Sequence, residues 1–247
     1  MTTLNGKTAW ITGAGTGIGA ASAIALAAAG ADVVLSGRRE EPLRRVANDI
    51  EARGGLARVE VLDVACSADV RAAAERIGRV DILLASAGLN VPTRAMEAIS
   101  DDDWDHVVNV NLNGMFYPVR AVLPGMRERG DGQLILISSW AGRYATKLTG
   151  AAYNATKRAV IALSESINDE AGAQGVRSTV IMPGEVATPI LMARPNPPSQ
   201  AEQDRMLQAE DLAATVRFVA EMPARACVNE VLISPAWNRF YRGFAEL

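Results

Sequence analysis

The chain has 247 residues, 49% hydrophobic and 21% charged, which is the balance of a globular domain with one substantial core. Its formal net charge of -3 gives no reason to expect nucleic acid or an anionic membrane surface as a partner. Two cysteines are too few for a disulfide framework, so the composition favours a reducing, cytoplasmic setting.

Predicted strands and helices alternate along the chain. Apolar, β-branched runs between turn signals predict strands at residues 8–11, 32–36, 59–62, 80–85, 133–137, 177–181 and 228–233. Capping residues and glycine stops predict helices at residues 18–29, 40–53, 67–77 and 151–172, and one that begins after Ser100. Ser67 is the expected cap of the third helix, and the three aspartates after Ser100 suit the positive end of a helix dipole.

Most of the predicted strands are short and apolar on both faces, as in a parallel sheet that helices cover on both sides. The predicted fold is therefore α/β, with a single doubly wound parallel sheet flanked by helices on both faces, and residues 1–247 form one domain. Pro195, Pro197 and Pro198 interrupt regular pairing in one irregular stretch. A long loop in a compact domain often closes over a ligand, so residues 189–207 are predicted to form a substrate lid.

No charged residue occurs between Thr8 and Ala31, and this segment resembles a signal peptide or a short membrane span. Glycines alternate through its first half, however, and would weaken an apolar helix. A strand, a tight turn and a helix explain the segment better, so no membrane association is expected.

The tight turn is rich in glycine and lies between the first predicted strand and the first predicted helix. In a doubly wound (Rossmann) sheet a dinucleotide pyrophosphate binds here, because glycines let the backbone approach the phosphates and the helix offers free N–H groups. A purely structural turn is the alternative, but the strand before it and the helix after it provide the context for binding. The expected cofactor contacts are Gly13, Gly15, Thr16, Gly17, Ile18 and Gly19.

The end of the second predicted strand selects the cofactor. An NAD site places a carboxylate there to accept a hydrogen bond from the ribose, whereas this chain has Gly37, Arg38 and Arg39. Glu40 and Glu41 fit the first turn of the next helix instead. Arg38 is suited to pair with a 2′-phosphate, so NADP(H) is favoured, and NAD(H) stays open if both arginines are merely solvated.

Tyr153 and Lys157 are four residues apart near the start of the long predicted helix, which puts them on one face. A neighbouring ammonium group stabilises a phenolate and lowers the pKa of a tyrosine. Such a phenol can protonate a carbonyl oxygen as a hydride arrives, or remove a proton from an alcohol. An incidental surface pair is the alternative.

With the glycine turn, the Tyr153–Lys157 pair and the order of strands and helices, the chain resembles the short-chain dehydrogenase/reductase family over essentially its whole length. Further matching motifs are Asp63-Val64, Asn111, Ser138-Ser139, and Pro183-Gly184 with Thr188. Residues 37–39, 121–126 and 227–235 are similar to the subgroup of reductases that act on 3-hydroxy acids and semialdehydes.

The resemblance implies roles for individual residues. Tyr153 would be the acid/base, and Lys157 would bind the nicotinamide ribose and lower the pKa of Tyr153. Ser139 would hydrogen-bond the substrate oxygen, and Asn111 would hold a water that links Lys157 to solvent. Further cofactor contacts implied by the resemblance are Asp63, Val64, Ala87, Gly88, Pro183, Gly184, Val186 and Thr188. A homotetramer or a homodimer is implied as well.

The chain departs from the family pattern at three places. The usual Asn-Asn-Ala-Gly after the fourth strand is Ala85-Ser86-Ala87-Gly88 here, which removes side-chain bonds that brace the sheet. Ser139 precedes Tyr153 by one residue more than usual, which we attribute to an extra residue between positions 143 and 149, with Ser138 as the alternative. The last strand lacks the usual glycine-rich ending.

Trp140 directly follows Ser139, and Tyr144 lies in the loop after it, so both are candidate substrate contacts. A serine hydrolase fits poorly, because His106 is the one histidine and no Gly-x-Ser-x-Gly elbow occurs. No metal site is expected, since no residues have metal-ligand spacing. The expected function is reversible, NADP(H)-dependent reduction of a small ketone or aldehyde. An NAD-dependent alcohol dehydrogenase and a non-catalytic nicotinamide-binding sensor are the alternatives.

Overall fold

The computed structural model describes residues 3–194 and 196–241, which form a seven-stranded parallel sheet of order β3-β2-β1-β4-β5-β6-β7. The strands are β1 (Thr8–Thr12), β2 (Asp32–Gly37), β3 (Ala57–Val61), β4 (Ile82–Ala85), β5 (Gly132–Ile137), β6 (Val176–Pro183) and β7 (Glu230–Ile233). The helices are α1 (Gly17–Ala28), α2 (Glu40–Ala52), α3 (Ser67–Ile77), α4 (Asp101–Val108), α5 (Gly114–Arg129), α6 (Trp140–Arg143), α7 (Ala151–Ala171), α8 (Gln200–Gln203) and α9 (Ala209–Ala220). The two ends of the predicted domain, and Pro195 of the proline-rich stretch, lie outside the described residues.

The predicted α/β fold is confirmed, and each predicted strand lies within two residues of an observed one. Four helices, α5, α9 and the short α6 and α8, were not predicted, and α5 contains Pro118 and Pro124, which normally end a helix. Ser100 caps α4 as predicted, accepting a hydrogen bond from the Asp103 N–H at 3.1 Å. The cap predicted at Ser67 is wrong, because that residue is already helical.

Helices cover both faces of the sheet and bury it in two apolar clusters. On one face α1, α2 and α9 pack on the sheet, through side chains such as Leu26, Leu43 and Val216. On the other face α3, α5 and α7 contribute a second cluster. Trp10 is fully buried in that second cluster, and its indole N–H donates to the Ser36 hydroxyl at 2.8 Å, so its one polar group is satisfied.

The sheet reverses its strand order at β1, which pairs with β2 on one side and with β4 on the other. The connections on the two sides lead away to opposite faces, so a crevice opens at the carboxyl ends of these strands. The uncharged segment from Thr8 to Ala31 forms β1, the glycine turn and α1, as predicted. Among residues 3–194 and 196–241, no helix has the length and apolarity needed to cross a membrane.

The stretch predicted to be a lid is anchored at its base. A short parallel bridge joins Val186 to Leu207, with the Ala187 N–H donating to the Leu207 carbonyl at 2.8 Å. Between these anchors lie a 3₁₀ turn, Pro189–Ala193, and helix α8, which is held by a capping box from Ser199. The segment therefore begins and ends at one point beside the carboxyl end of β6.

Candidate active site

Glycine is required in the turn after β1 by close backbone contacts. Gly13 has a φ of 68°, and a Cβ atom there would lie 2.8 Å from the backbone nitrogen of Ala87. A Cβ atom on Gly19 would collide with the carbonyl of Gly13. The turn therefore packs directly against the loop after β4, and the N-terminus of α1 faces the crevice, where its free N–H groups suit an anion.

Two cavities meet at this turn. The first lies between β2, β3 and the turn, and it brings together many of the residues that sequence reasoning assigned to the cofactor. They are Gly13, Gly15, Thr16, Gly37, Arg38, Arg39, Asp63, Val64, Ala87 and Gly88. The Asp63 carboxylate also accepts a bond from the Ala65 N–H at 3.0 Å, so one of its oxygens shapes the local turn.

The two carboxylates that follow Arg38 and Arg39 form ion pairs within α2. Glu40 pairs with Arg44, and Glu41 pairs with Arg45 one helical turn further on. Arg38 is exposed at the mouth of the first cavity. The residues that directly follow β2 therefore give this end of the first cavity a positive charge, as the sequence predicted.

The second cavity, of about 260 Å³, extends from the glycine turn across the carboxyl ends of β4, β5 and β6. The predicted residues that line it are Gly13, Thr16, Gly17, Ile18, Ala87, Gly88, Ser139, Trp140, Tyr153, Lys157, Pro183, Gly184, Val186 and Thr188. Residues from the glycine turn and from the tyrosine–lysine helix thus border a single space. Gly19 lines neither cavity in the described chain, and its contribution is the tight packing against Gly13.

Lys157 is 3% exposed and lies at the floor of the second cavity. Its ammonium group donates to the Ile137 carbonyl at 2.9 Å and lies 5.6 Å from the centre of the Tyr153 ring. Burial disfavours the charged form and lowers its pKa from 10.5 to about 8. The pair shares one helix face, as the four-residue spacing predicted.

The pKa of Tyr153 differs from the sequence prediction. Burial raises it above 10.0, while the nearby Ser139 hydroxyl and the charges of Arg194 and Arg94 favour the phenolate and act in the opposite direction. The expectation that Lys157 lowers this pKa is therefore not met. The cationic groups that act on the Tyr153 hydroxyl come from two loops, which the sequence did not reveal.

The two serines after β5 have different surroundings. The Ser138 hydroxyl is buried and donates to the Lys157 carbonyl at 2.6 Å, so it holds α7 against the sheet. The Ser139 oxygen accepts a hydrogen bond from the Ala141 N–H at 3.2 Å and lies at the cavity wall with Tyr153. This arrangement favours Ser139 over Ser138 as the residue beside the reacting group.

Asn111 is buried in a π-helical turn, Asn109–Asn113, between α4 and α5. Its side-chain oxygen accepts from the Leu89 N–H at 2.8 Å, and its side-chain nitrogen donates to the Leu89 carbonyl at 2.9 Å. Both halves of the amide therefore brace the loop after β4, and the side chain does not line either cavity in the described part of the chain.

The loop after β4 has a second brace that sequence reasoning missed. The Thr12 hydroxyl oxygen accepts from the Ser86 N–H at 3.2 Å and lies 3.5 Å from the Ala87 nitrogen. The side-chain bonds expected to be lost at Ala85-Ser86 are thus partly replaced by a bond from β1. A threonine that ends a strand next to a glycine turn was the available signal.

Other residues at the second cavity were not predicted. Arg94 and Asn90 reach it from the loop between β4 and α4, Glu185 and Arg194 from the segment after β6, and Phe240 from the end of the chain. Tyr144 does not line it within the described chain, although it was a predicted substrate contact. Its ring packs against Trp140 at 4.9 Å and is half exposed.

Comparison with known proteins gives consistent matches. A family model described as short chain dehydrogenase matches residues 7–198. An uncharacterized oxidoreductase of Staphylococcus aureus (strain MW2) is 36% identical over 239 residues, which cover 95% of this chain and 100% of that protein.

Two solved structures show the same fold. A metagenomic short-chain oxidoreductase in complex with NADP has a TM-score of 0.83 and 31% identity, with 95% of this chain and 99% of that chain covered. A 3-oxoacyl-[acyl-carrier protein] reductase from Brucella melitensis with bound NAD has a TM-score of 0.84 and 25% identity, with 93% and 90% covered.

Proposed function

The chain belongs to the short-chain dehydrogenase/reductase family, and from its site we propose that it is an NADP(H)-dependent oxidoreductase that reversibly reduces a ketone or aldehyde to an alcohol. One observation carries the proposal. The glycine turn and the Tyr153–Lys157 pair border the same cavity, with the Ser139 hydroxyl at its wall. A dinucleotide and a small carbonyl compound could meet in that space.

The residues present fit a dinucleotide. A Cβ atom at Gly13 would occupy space against the loop after β4, and one at Gly88 would lie 3.3 Å from the Lys157 ammonium, so bare backbone borders the crevice. The N-terminus of α1 offers unpaired N–H groups to the pyrophosphate. Asp63 and Val64 would contact the adenine, and the backbone around Pro183–Thr188 would hold the nicotinamide amide.

The proposed chemistry assigns a task to each polar residue. When bound, NADP(H) supplies or accepts the hydride. Ser139 holds the carbonyl oxygen, and Tyr153 gives that oxygen a proton during reduction or takes one from the alcohol during oxidation. Lys157 holds the ribose and places a positive charge below the phenol. Asn111 keeps the cofactor loop in position through its two bonds to Leu89.

The preference for NADP(H) rests on Arg38. Its exposed guanidinium lies where a 2′-phosphate would emerge, and the adjacent glutamates are occupied by partners on their own helix. NADP and NAD occur in the related structures named above, so NAD(H) remains the alternative.

We also propose that the enzyme works in the cytoplasm as a homotetramer or homodimer, with residues 189–207 as its substrate lid. β7 lies at the edge of the sheet, and Leu232 on this strand and Phe218 on α9 are both more than 40% exposed. An open strand edge with apolar side chains is the kind of surface that a second copy covers.

The test is the change in nicotinamide absorbance with purified protein, a panel of ketones, aldehydes and alcohols, and each cofactor in turn. Tyr153→Phe should lower kcat by about 10²-fold or more, because it removes the proton donor while keeping the ring. Tyr117→Phe, on α5 and outside both cavities, is the matched control. Turnover by Tyr153→Phe equal to that of the unmodified enzyme would exclude this mechanism. Cofactor binding without turnover of any substrate would favour the sensor.

A further inference from the structure

A network of ion pairs connects the segment after β7 to the wall of the second cavity, and we propose that Arg239 is a positioning residue for the nicotinamide half of the cofactor. The network consists of Arg194, Arg239, Glu185 and Glu202. The inference rests on the proposed function and concerns the same site. Within the described chain Arg239 does not line the cavity, so it would act through Glu185, which does.

Arg239 binds both oxygens of the Glu185 carboxylate. Its Nε donates to one oxygen and its Nη2 to the other, each at 2.7 Å, which is the bidentate geometry that holds a carboxylate in one orientation. Arg194 donates to one of the same oxygens, also at 2.7 Å. The side chains of Arg239 and Glu185 are 8% and 4% exposed, so water competes little for these bonds.

Glu185 lies within residues 183–188, the stretch of backbone that we expect to hold the nicotinamide amide. Both of its neighbours in sequence line the second cavity. The end of the stretch reaches the glycine turn, because a Cβ atom on Gly17 would lie 3.1 Å from the Thr188 side chain. A displacement of Glu185 would therefore change the shape of the cavity where the nicotinamide is expected to bind.

Arg239 also ties this stretch to the predicted lid. Its Nη1 donates to the Glu202 carboxylate on α8 at 2.7 Å. A second contact between the same two segments is that of Arg205, whose guanidinium lies 4.6 Å from the centre of the Trp237 ring. The segment after β7, the lid and residues 183–188 are therefore joined through one buried guanidinium group.

The network acts through geometry rather than through net charge. Its two guanidinium groups and two carboxylates balance one another. Moving charges out of water costs free energy that their mutual attraction often only just offsets, so a buried network of this kind is weak evidence for stability. A fixed arrangement of the backbone that it joins is the contribution that we assign to it.

The main experiment compares NADPH with 2′-phospho-ADP-ribose, which lacks the nicotinamide ring. Isothermal titration calorimetry gives both dissociation constants without turnover. Arg239→Met should weaken NADPH binding by about 10-fold or more, which corresponds to the loss of about one hydrogen bond, and leave 2′-phospho-ADP-ribose binding within about twofold. NADH and ADP-ribose form a second pair, which tests the same difference if NAD(H) is the cofactor.

Arg79→Met is the matched control. Arg79 donates from two guanidinium nitrogens to the carboxylate of Asp81, which is 2% exposed, but this pair precedes β4 at the amino ends of the strands. Both substitutions leave a buried carboxylate without its guanidinium partner, so both should lower the melting temperature. Only Arg239→Met should change the ratio of the two affinities.

Two further variants separate the contacts of Arg239. Arg239→Lys keeps the charge but loses the planar fork, so its NADPH affinity should lie between those of wild type and Arg239→Met. It also tests the inference if Arg239→Met does not fold. Glu202→Gln keeps the bonds to Glu185 and should leave NADPH affinity within about twofold. At saturating NADPH, Arg239→Met should lower kcat by about 10- to 100-fold, because a displacement of about 1 Å can slow a reaction this much.

Three results would overturn the inference. Equal losses of affinity for NADPH and 2′-phospho-ADP-ribose would show that Arg239 only stabilises the fold. Unchanged NADPH affinity in Arg239→Met would show that it does not position the nicotinamide. Equal NADPH losses in Glu202→Gln and Arg239→Met would assign the effect to the lid.

Failure of the proposed function gives a different result. Wild-type protein that binds NADPH but reduces no carbonyl compound would refute the proposed chemistry, and the comparison of the two ligands would still decide the role of Arg239. Wild-type protein that binds neither NADPH nor NADH would refute the proposed function and this inference together.

Discussion

Lys157→Met should change how the stability of the protein depends on pH. The ammonium of Lys157 is almost fully buried, and its pKa falls from 10.5 to about 8 in the folded chain. Below pH 8 Lys157 is protonated in both the folded and the unfolded chain, so the folded state is destabilised by the full free energy that corresponds to the pKa difference. As the pH rises above 8 the folded chain releases the proton first, and the wild-type protein becomes more stable.

The size of the effect follows from the shift. A difference of about 2.5 pKa units destabilises the folded state by about 3 kcal/mol at pH 7 and by about half of that at pH 9.5. Methionine keeps most of the volume but has no charge, so the variant lacks this pH-dependent term. Loss of the bond to the Ile137 carbonyl lowers the stability of the variant by about 1 kcal/mol at every pH.

The assay is the melting temperature from circular dichroism at constant protein concentration, without nicotinamide, at pH 7 and pH 9.5. The melting temperatures of Lys157→Met and wild type should differ by about 4 to 8 °C less at pH 9.5 than at pH 7. Lys147→Met removes an exposed lysine and should melt in parallel with wild type. Parallel pH curves for Lys157→Met and wild type would refute the buried charge.

Three further changes test the cofactor cavity and the sheet. Arg38→Gln should weaken NADPH binding by about 10- to 100-fold and leave NADH binding nearly unchanged, as measured by fluorescence titration. The control, Arg45→Gln, should change the binding of neither cofactor. Equal effects of Arg38→Gln on both cofactors would contradict the proposal that Arg38 binds the 2′-phosphate. Gly13→Ala and Gly54→Ala both place an alanine at positive φ, but only the Cβ atom at position 13 would meet backbone within 3 Å. The free energy of unfolding in urea should therefore be lower for Gly13→Ala than for Gly54→Ala by about 1 to 3 kcal/mol. Equal free energies of unfolding for the two variants would show that the turn after β1 can relax. Burial alone would raise the pKa of Asp81, yet its bonds from an arginine side chain and a backbone N–H lower it below 3.8. Asp81→Asn should therefore melt several degrees lower at neutral pH, and this gap should narrow as the pH falls from 3.8 through the lowered pKa of the folded state. A gap in melting temperature that is the same at every acidic pH at which the protein still folds would contradict the ion pair.

The fold was largely readable from the sequence because its signals are local. Most strands are short apolar runs, and most predicted helices have a cap or a glycine stop. Helix α5 is one of the helices that were missed, because Pro118 and Pro124 disguise it. A proline removes one backbone donor, but the buried contacts of α5 with the sheet still hold it as a helix. The helix propensity of a segment predicts its structure poorly when its packing favours a different structure.

The candidate site was readable where its residues are neighbours in sequence. Tyr153 and Lys157 share a helix face through their spacing, and the glycine turn is continuous. Arg94, Glu185 and Arg194 were not found, because they lie on loops without periodicity and meet only through tertiary contacts. The pKa of Tyr153 was mispredicted for the same reason, since it depends on burial and on those distant charges.

The position of β4 at the centre of the sheet has a consequence for how the protein is made. During synthesis β1, β2, β3 and β4 leave the ribosome first. One edge of β4 then has no partner until β5 has been synthesised. The intervening residues 86–131 take several seconds to synthesise at ~5–20 residues per second. An apolar strand edge of this kind can pair with another nascent chain. Aggregation during expression should therefore be most sensitive to changes that delay this part of synthesis, and little affected by the rate at which the last strand, β7, is completed.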